Sequence, residues 1–334
     1  MSGKKICVAG NIIVDILYPV TGLPKPGELT SIQEGISRAT GGAVCNVIAD
    51  LALMDPALEL TALGRVGDDA EGDYVLETLR RYQNADLSMI KREGRTSFTA
   101  VMADSISKER TFFHYRGANA LFCEEDIDWE KIGADFLHIG YVLLLDTLDE
   151  EDPEYGTKMA RLLSHARERG IKTSLDVVSE SGDRFKRLVP PCLKYTDYCV
   201  INELEASQVT GIALRDRGGK LMAANIPRAL TAIKALGVSQ WAVIHCPEGG
   251  YGLDNRGSLV ESPTVNLPPE YIKGKVGAGD AFCAGTIYAA SQGGSLEDAL
   301  ELGNAAAAAS LSMPGASEGM LPVEELRKLR ARFG

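Results

Sequence analysis

Tyr198-Cys199-Val200-Ile201-Asn202-Glu203-Leu204-Glu205-Ala206-Ser207-Gln208-Val209 decides how the chain is read. Four β-favouring residues pass through one asparagine into a helix-like run from Glu203 to Val209. A strand that turns at once into a helix is half of a β-α unit, whose next strand runs parallel to the first. The alternation extends both ways. Upstream lie strands at 5–8, 61–63, 136–139 and 173–177, with helices opening at Gly41 and spanning 74–82 and 157–169. Downstream lie a helix at 221–236, a strand at 241–244 and helices at 280–291 and 296–311, the last begun by the capping pattern Ser295-x-x-Asp298. The fold class is α/β: a doubly wound, mostly parallel sheet flanked by helices.

Two stretches fall outside this alternation. Ile12-Ile13-Val14 leads to Asp15 and reads as a strand ending in a carboxylate, and a second extended piece follows the Pro24-Lys25-Pro26-Gly27 turn. From Thr96 to Tyr115 the pattern is β-rich, with Phe98, Ala100 and Met102 followed by Thr111-Phe112-Phe113-His114-Tyr115. The segments at about 12–38 and 96–118 are therefore expected to form a small β lid inserted in one domain spanning 1–334. Ala305 to Ala309 is nearly all alanine, which implies close backbone packing against a neighbour, with Asn304 the polar exception at its head.

Composition excludes several classes. With 334 residues and a formal charge of −11, the chain lacks the basic face that a nucleic-acid partner requires. No run of 18 apolar residues appears, and Met1-Ser2-Gly3-Lys4-Lys5 leads straight into a strand, so neither a membrane span nor a signal peptide is expected and the location is read as cytoplasmic. Seven scattered cysteines with no C-x-x-C pair read as reduced, mostly buried small hydrophobes.

The chemistry concentrates at Gly274-Lys275-Val276-Gly277-Ala278-Gly279-Asp280. Glycines flanking Ala278 let several backbone N–H groups point one way at the positive end of the following helix, which suits a phosphate. Asp280, in the first helical turn, is then placed to take a proton from a hydroxyl. The same residues also suit an ordinary tight turn with an acidic helix cap.

Four motifs in order resemble the ribokinase-like (PfkB) family of carbohydrate kinases over residues 6 to 320: Gly41-Gly42-x-x-x-Asn46, Gly64-x-x-Gly67-x-Asp69, Asn202-x-x-Glu205 and Gly277-Ala278-Gly279-Asp280. The resemblance implies phosphoryl transfer from ATP, with Mg²⁺, to a hydroxyl of a sugar or sugar derivative. It implies Asp280 as the base and the amides of Gly277, Ala278, Gly279 and Asp280 as the anion hole. Asp15, Gly41, Gly42 and Asn46 resemble the acceptor-binding set, and Arg116, with Arg110 as a second candidate, resembles an arginine that meets an anionic acceptor group. Asn202, Glu205, His245, Gly250 and Asn304 fall at the ATP side. There Glu205 is expected to organise metal-bound water, although Asn202 and Glu205 equally form a helix capping box. Lids in this family often pair two copies, so a homodimer through the lid is expected.

Two departures stand out. The family's Thr-x-Gly-x-x-Gly stretch is His245-Cys246-Pro247-Glu248-Gly249-Gly250 here, and only its last glycine is kept. The aspartate that helps bind a monovalent cation in many relatives is replaced in Gly274-Lys275-Val276, so the Lys275 ammonium is expected either to supply that charge or to face solvent. Phe98, Phe112 and Phe113 keep a nucleoside acceptor open, and a non-catalytic sugar-binding relative is the remaining alternative.

Overall fold

A computed structural model describes residues 4–333 apart from 108, 180 and 181; the first residues of the Met1-to-Lys5 start thus lie outside the described part. Ten strands form the main sheet. Its order is Leu259–Pro263, Gly249–Leu253, Trp241–Cys246, Tyr198–Asn202, Lys172–Val177, Phe136–Val142, Lys5–Gly10, Glu59–Val66 and Ala85–Asp86, with Ile90–Arg92 also on Glu59–Val66. From Trp241–Cys246 onward every pairing is parallel. The two strands beyond it are antiparallel, an edge that the βα alternation does not predict.

Strand burial explains the double winding. Phe136–Val142 and Lys172–Val177 are buried almost throughout, as strands covered on both faces are. Successive residues of Lys5–Gly10 serve different cores, because side chains alternate across a sheet. Ile6 and Val8 join the core formed with helices Gly42–Met54, Ala278–Ser291 and Leu296–Ser310. Cys7 and Ala9 join the one formed with Lys158–Glu168, Arg184–Leu193 and Ile226–Ala235. All seven cysteines are free and five are buried. No helix among the described residues is long and apolar enough to cross a membrane.

The segments expected to form the lid make a separate four-stranded sheet, in the order Ser37–Gly41, Ile13–Val20, Phe98–Asp104, Arg110–Tyr115. Here one expectation is corrected: Asp15 is the third residue of an eight-residue strand, not its end. The strand continues because it is paired on both sides, with Asp15 between Ala39 and Thr99. Buried Asn119 ties the lid's base to the main domain by exchanging two hydrogen bonds with the backbone of Ile12 (3.1 and 2.9 Å). The second motif has a similar duty: Asp69 accepts from the Thr96 amide (2.8 Å) and caps helix Ala70–Leu79 through Gly72. That helix starts four residues earlier than the apolar pattern at 74–82 suggests, because Asp69 supplies the cap. The expected helix at 221–236 shortens to Ile226–Ala235, preceded by a 3-10 turn, with Pro227 in its first turn.

Candidate active site

The parallel strands deliver their C-terminal ends to one place, beneath the lid, where open α/β sheets hold ligands. Helix Ala278–Ser291 points its N-terminus there. Gly277 caps it in the left-handed conformation (φ +78°), and a Cβ at that position would lie 2.6 Å from Ala316, so the turn requires glycine. The helix's first amides have no intrahelical acceptors and face outward. Asp280 sits half-buried in this first turn. Asn46 Nδ2 donates to its Oδ2 at 2.8 Å and the Tyr141 hydroxyl donates to its Oδ1 at 2.6 Å. Burial raises the Asp280 pKa, and these two donors oppose the rise.

The expected acceptor residues converge beside it. Gly41 leaves room for Asp15, whose Oδ2 would lie 2.7 Å from a Cβ there, while Gly42 (φ +85°) presses against the Asn11 carbonyl, 2.5 Å from where its Cβ would be. Burial raises the Asp15 pKa; Thr99 and Arg110 lower it and Asp280 raises it further. Arg116 stands at the lid's base, donating to the Leu143 carbonyl (2.7 Å) and facing Asp146 (3.6 Å). Arg110 is exposed on the lid strand.

On the other side of Asp280 opens a cavity of about 890 Å³ whose walls include Asn202, His245, Lys275, Gly279 and Asn304. Helix Leu296–Ser310, which carries the alanine run, packs closely on helix Ala278–Ser291 ahead of that run, where a Cβ at Gly285 would lie 2.8 Å from the Leu302 carbonyl, while Ala307 and Ala308 line the cavity. Asn304 is fixed by donating to Ser262 O (2.8 Å) and Oγ (3.0 Å). His245 stacks on Phe282 at 4.9 Å, and burial lowers its pKa to about 4, so the ring is uncharged near neutrality. Gly250 is not among the cavity walls; it lies behind them, where a Cβ would strike the Phe282 ring at 2.8 Å. Asn202 and Glu205 do form the capping box: Asn202 Oδ1 accepts from the Glu205 amide and Glu205 Oε2 accepts from the Asn202 amide, both at 2.9 Å.

Acidity is concentrated here. Burial pushes Glu205 up to about 7, with Asp280 adding to the rise, and buried Asp176 is raised further by Glu205 and Asp280. Among the described residues no three His, Cys, Asp or Glu side chains converge as a direct metal cage. Crowded carboxylates without a cage suit a divalent cation held largely through water, as Mg²⁺ is held.

Tyr141 and Asp176 were not singled out from the sequence. Both lie near the C-terminal ends of parallel strands, Phe136–Val142 and Lys172–Val177, and a polar group at that position is the signal that could have found them.

A glycine-capped helix aimed at a cavity, with a carboxylate at the junction, suits transfer of a phosphoryl group to an alcohol. The chain belongs to the pfkB family of carbohydrate kinases, which it matches over residues 3–323, and it is a sugar kinase. It is 27% identical over 315 residues to the ATP-dependent ribose-1-phosphate kinase of Halopiger xanaduensis, covering 93% of each chain. It is 24% identical to the 2-dehydro-3-deoxygluconokinase of Escherichia coli, covering 94% of this chain and 96% of that one. The Arabidopsis thaliana ribokinase structure complexed with ribose and ATP superposes with a TM-score of 0.80 at 22% identity, covering 98% and 99% of the two chains.

Proposed function

We propose that this chain transfers the γ-phosphoryl group of ATP to a hydroxyl of a sugar or sugar derivative, with the lid sheet as part of a single kinase domain. One observation carries the reading: Asp280 stands between the acceptor set on one side and the amide-headed cavity on the other. ATP lies in the cavity against Asn304 and the Asn202 helix start. The acceptor lies under the lid against Asp15, Gly41, Gly42 and Asn46. Asp280 takes the hydroxyl proton as the new O–P bond forms, and the first-turn amides of Ala278, Gly279 and Asp280 hold the charge on the transferring group. Glu205 would hold Mg²⁺ through water, and that ion supplies charge neutralisation at the phosphates. Arg116 is the group that meets an anionic substituent on the acceptor, in keeping with a relative named for a sugar phosphate.

Two further parts of the reading concern charge and assembly. A Cβ at Gly274 would lie 2.7 Å from the Met313 carbonyl and 2.9 Å from Pro314, so the space for an aspartate is closed, and Lys275 lines the cavity one residue on. Lys275 supplies the charge that a monovalent cation supplies elsewhere. The exposed apolar residues of the lid pair with those of a second copy.

The test is an ADP-release assay across sugars, sugar acids, sugar phosphates and nucleosides. Turnover of a sugar derivative supports the reading, turnover of nucleosides alone replaces it, and no turnover of any acceptor points to a binding protein. Asp280→Asn should lower kcat at least about 100-fold, the lower range for a general base; wild-type turnover by that variant refutes the assignment.

A further inference from the structure

The two donors on Asp280 arrive from opposite walls. Asn46 belongs to helix Gly42–Met54 and Tyr141 to strand Phe136–Val142. Each takes a different carboxylate oxygen, at 2.8 and 2.6 Å. A carboxylate has about four acceptor directions, so both oxygens are anchored and room remains for the acceptor hydroxyl. A hydroxyl on an ionised carboxylate is a charge-assisted hydrogen bond, shorter and stronger than a neutral one. We propose that Tyr141 is a positioning residue for catalysis, its hydroxyl fixing the direction of the Asp280 carboxylate and keeping it ionised to receive the acceptor proton.

The surroundings show why such a donor is needed. Asp15, Cys45, Asp50, Asp176, Glu205 and Cys283 all lie close enough to feel the Asp280 charge, and every one of them is acidic or neutral. His245, beside Gly279, is uncharged near neutrality. Lys275 on the cavity wall, Arg110, which acts on Asp15, and Arg116, which is held at Leu143 and Asp146, are the cations described around the site, and the groups that favour the charged Asp280 are the two hydrogen-bond donors. Ionised Asp280 is thus opposed by burial and favoured chiefly by Tyr141, then Asn46. Burial and Asp280 itself raise the Tyr141 pKa well above the ordinary tyrosine range, so the phenol keeps its proton and donates near neutrality.

The inference rests on Asp280 being the base, and its test separates the two. Tyr141→Phe deletes one oxygen and keeps the ring, a change of shape the site tolerates. Losing the bond raises the Asp280 pKa, so less of the base is ionised at a given pH. The expected result is a kcat about 10- to 100-fold lower with acceptor KM within about threefold, and an acid limb of kcat/KM moved up by about one pH unit, the displacement that a tenfold change in ionisation gives. Titration of ¹³C-labelled aspartate carboxyls, with the Asp280 signal assigned through Asp280→Asn, reads the same upward displacement without turnover. It therefore stands even if no acceptor is phosphorylated. An acid limb and a carboxyl midpoint both unchanged in Tyr141→Phe would overturn the inference, whatever happens to kcat.

Discussion

Asp50 shows what a single residue can disclose. It lies one helical turn beyond Asn46, fully buried, and neither carboxyl oxygen has a hydrogen-bond partner. The Ser317 hydroxyl is near enough to ease its burial, yet donates to the Asn46 carbonyl at 3.4 Å. Burial therefore raises the Asp50 pKa well above the ordinary carboxylate range. A group that binds its proton more tightly when folded contributes its full share at low pH, and that share is lost as pH rises from the unfolded pKa toward the folded one. In that window one such group costs up to about 1.4 kcal/mol per pH unit. Asp50→Asn cannot ionise, so its unfolding free energy should fall less than the wild type's between pH 4 and 8, as read from denaturant midpoints. Parallel curves for the two proteins would show that Asp50 titrates alike in both states. Nothing in the apolar periodicity of residues 44 to 53 marks Asp50 as exceptional, since its burial is a property of the packed helix pair and not of local sequence.

At the scale of elements, most of the architecture was legible. The βα alternation is written in short apolar strands and helix periodicity, and Ser295 and Asn202 cap the helices where their patterns say. The antiparallel strands Gly249–Leu253 and Leu259–Pro263 were not legible, because the first is mostly glycine and the second is a five-residue edge strand ending in proline, so neither carries a periodic signal. Of the site, the glycine turn, the Gly41-Gly42 pair and Asn46 could be read as local motifs. Tyr141 could not, because its partner comes from a different element 139 positions away. The loop over Gly274 is likewise visible only in three dimensions. Met313 and Pro314 fill the space beside Gly274, and Lys275 faces the cavity. Turnover in K⁺ should therefore equal that in Na⁺, measured at matched ionic strength, and Lys275→Ala should restore a preference for neither. Strong activation by K⁺ would show that a cation still binds beside the turn.

At the scale of the whole molecule, the lid sheet leaves several large apolar residues exposed. Ile36, Ile106, Phe112 and Phe113 are 58%, 73%, 63% and 58% exposed on or beside its strands. Large apolar residues left exposed on one small sheet suit an interaction surface. Light scattering should give a mass near twice the 35.8 kDa chain, and Phe112→Glu should return it to that of one chain. A wild-type monomer at assay concentrations would remove the lid pairing. The central carboxylate has another whole-molecule consequence. Asp280 is bonded to residues 234 and 139 positions before it, so its environment closes only when the ends of the chain have met. Contacts of such span form late in folding, because the entropy of closing the intervening loops comes first. A chain cut off before residue 280 therefore has Asn46 and Tyr141 but lacks the carboxylate on which both converge.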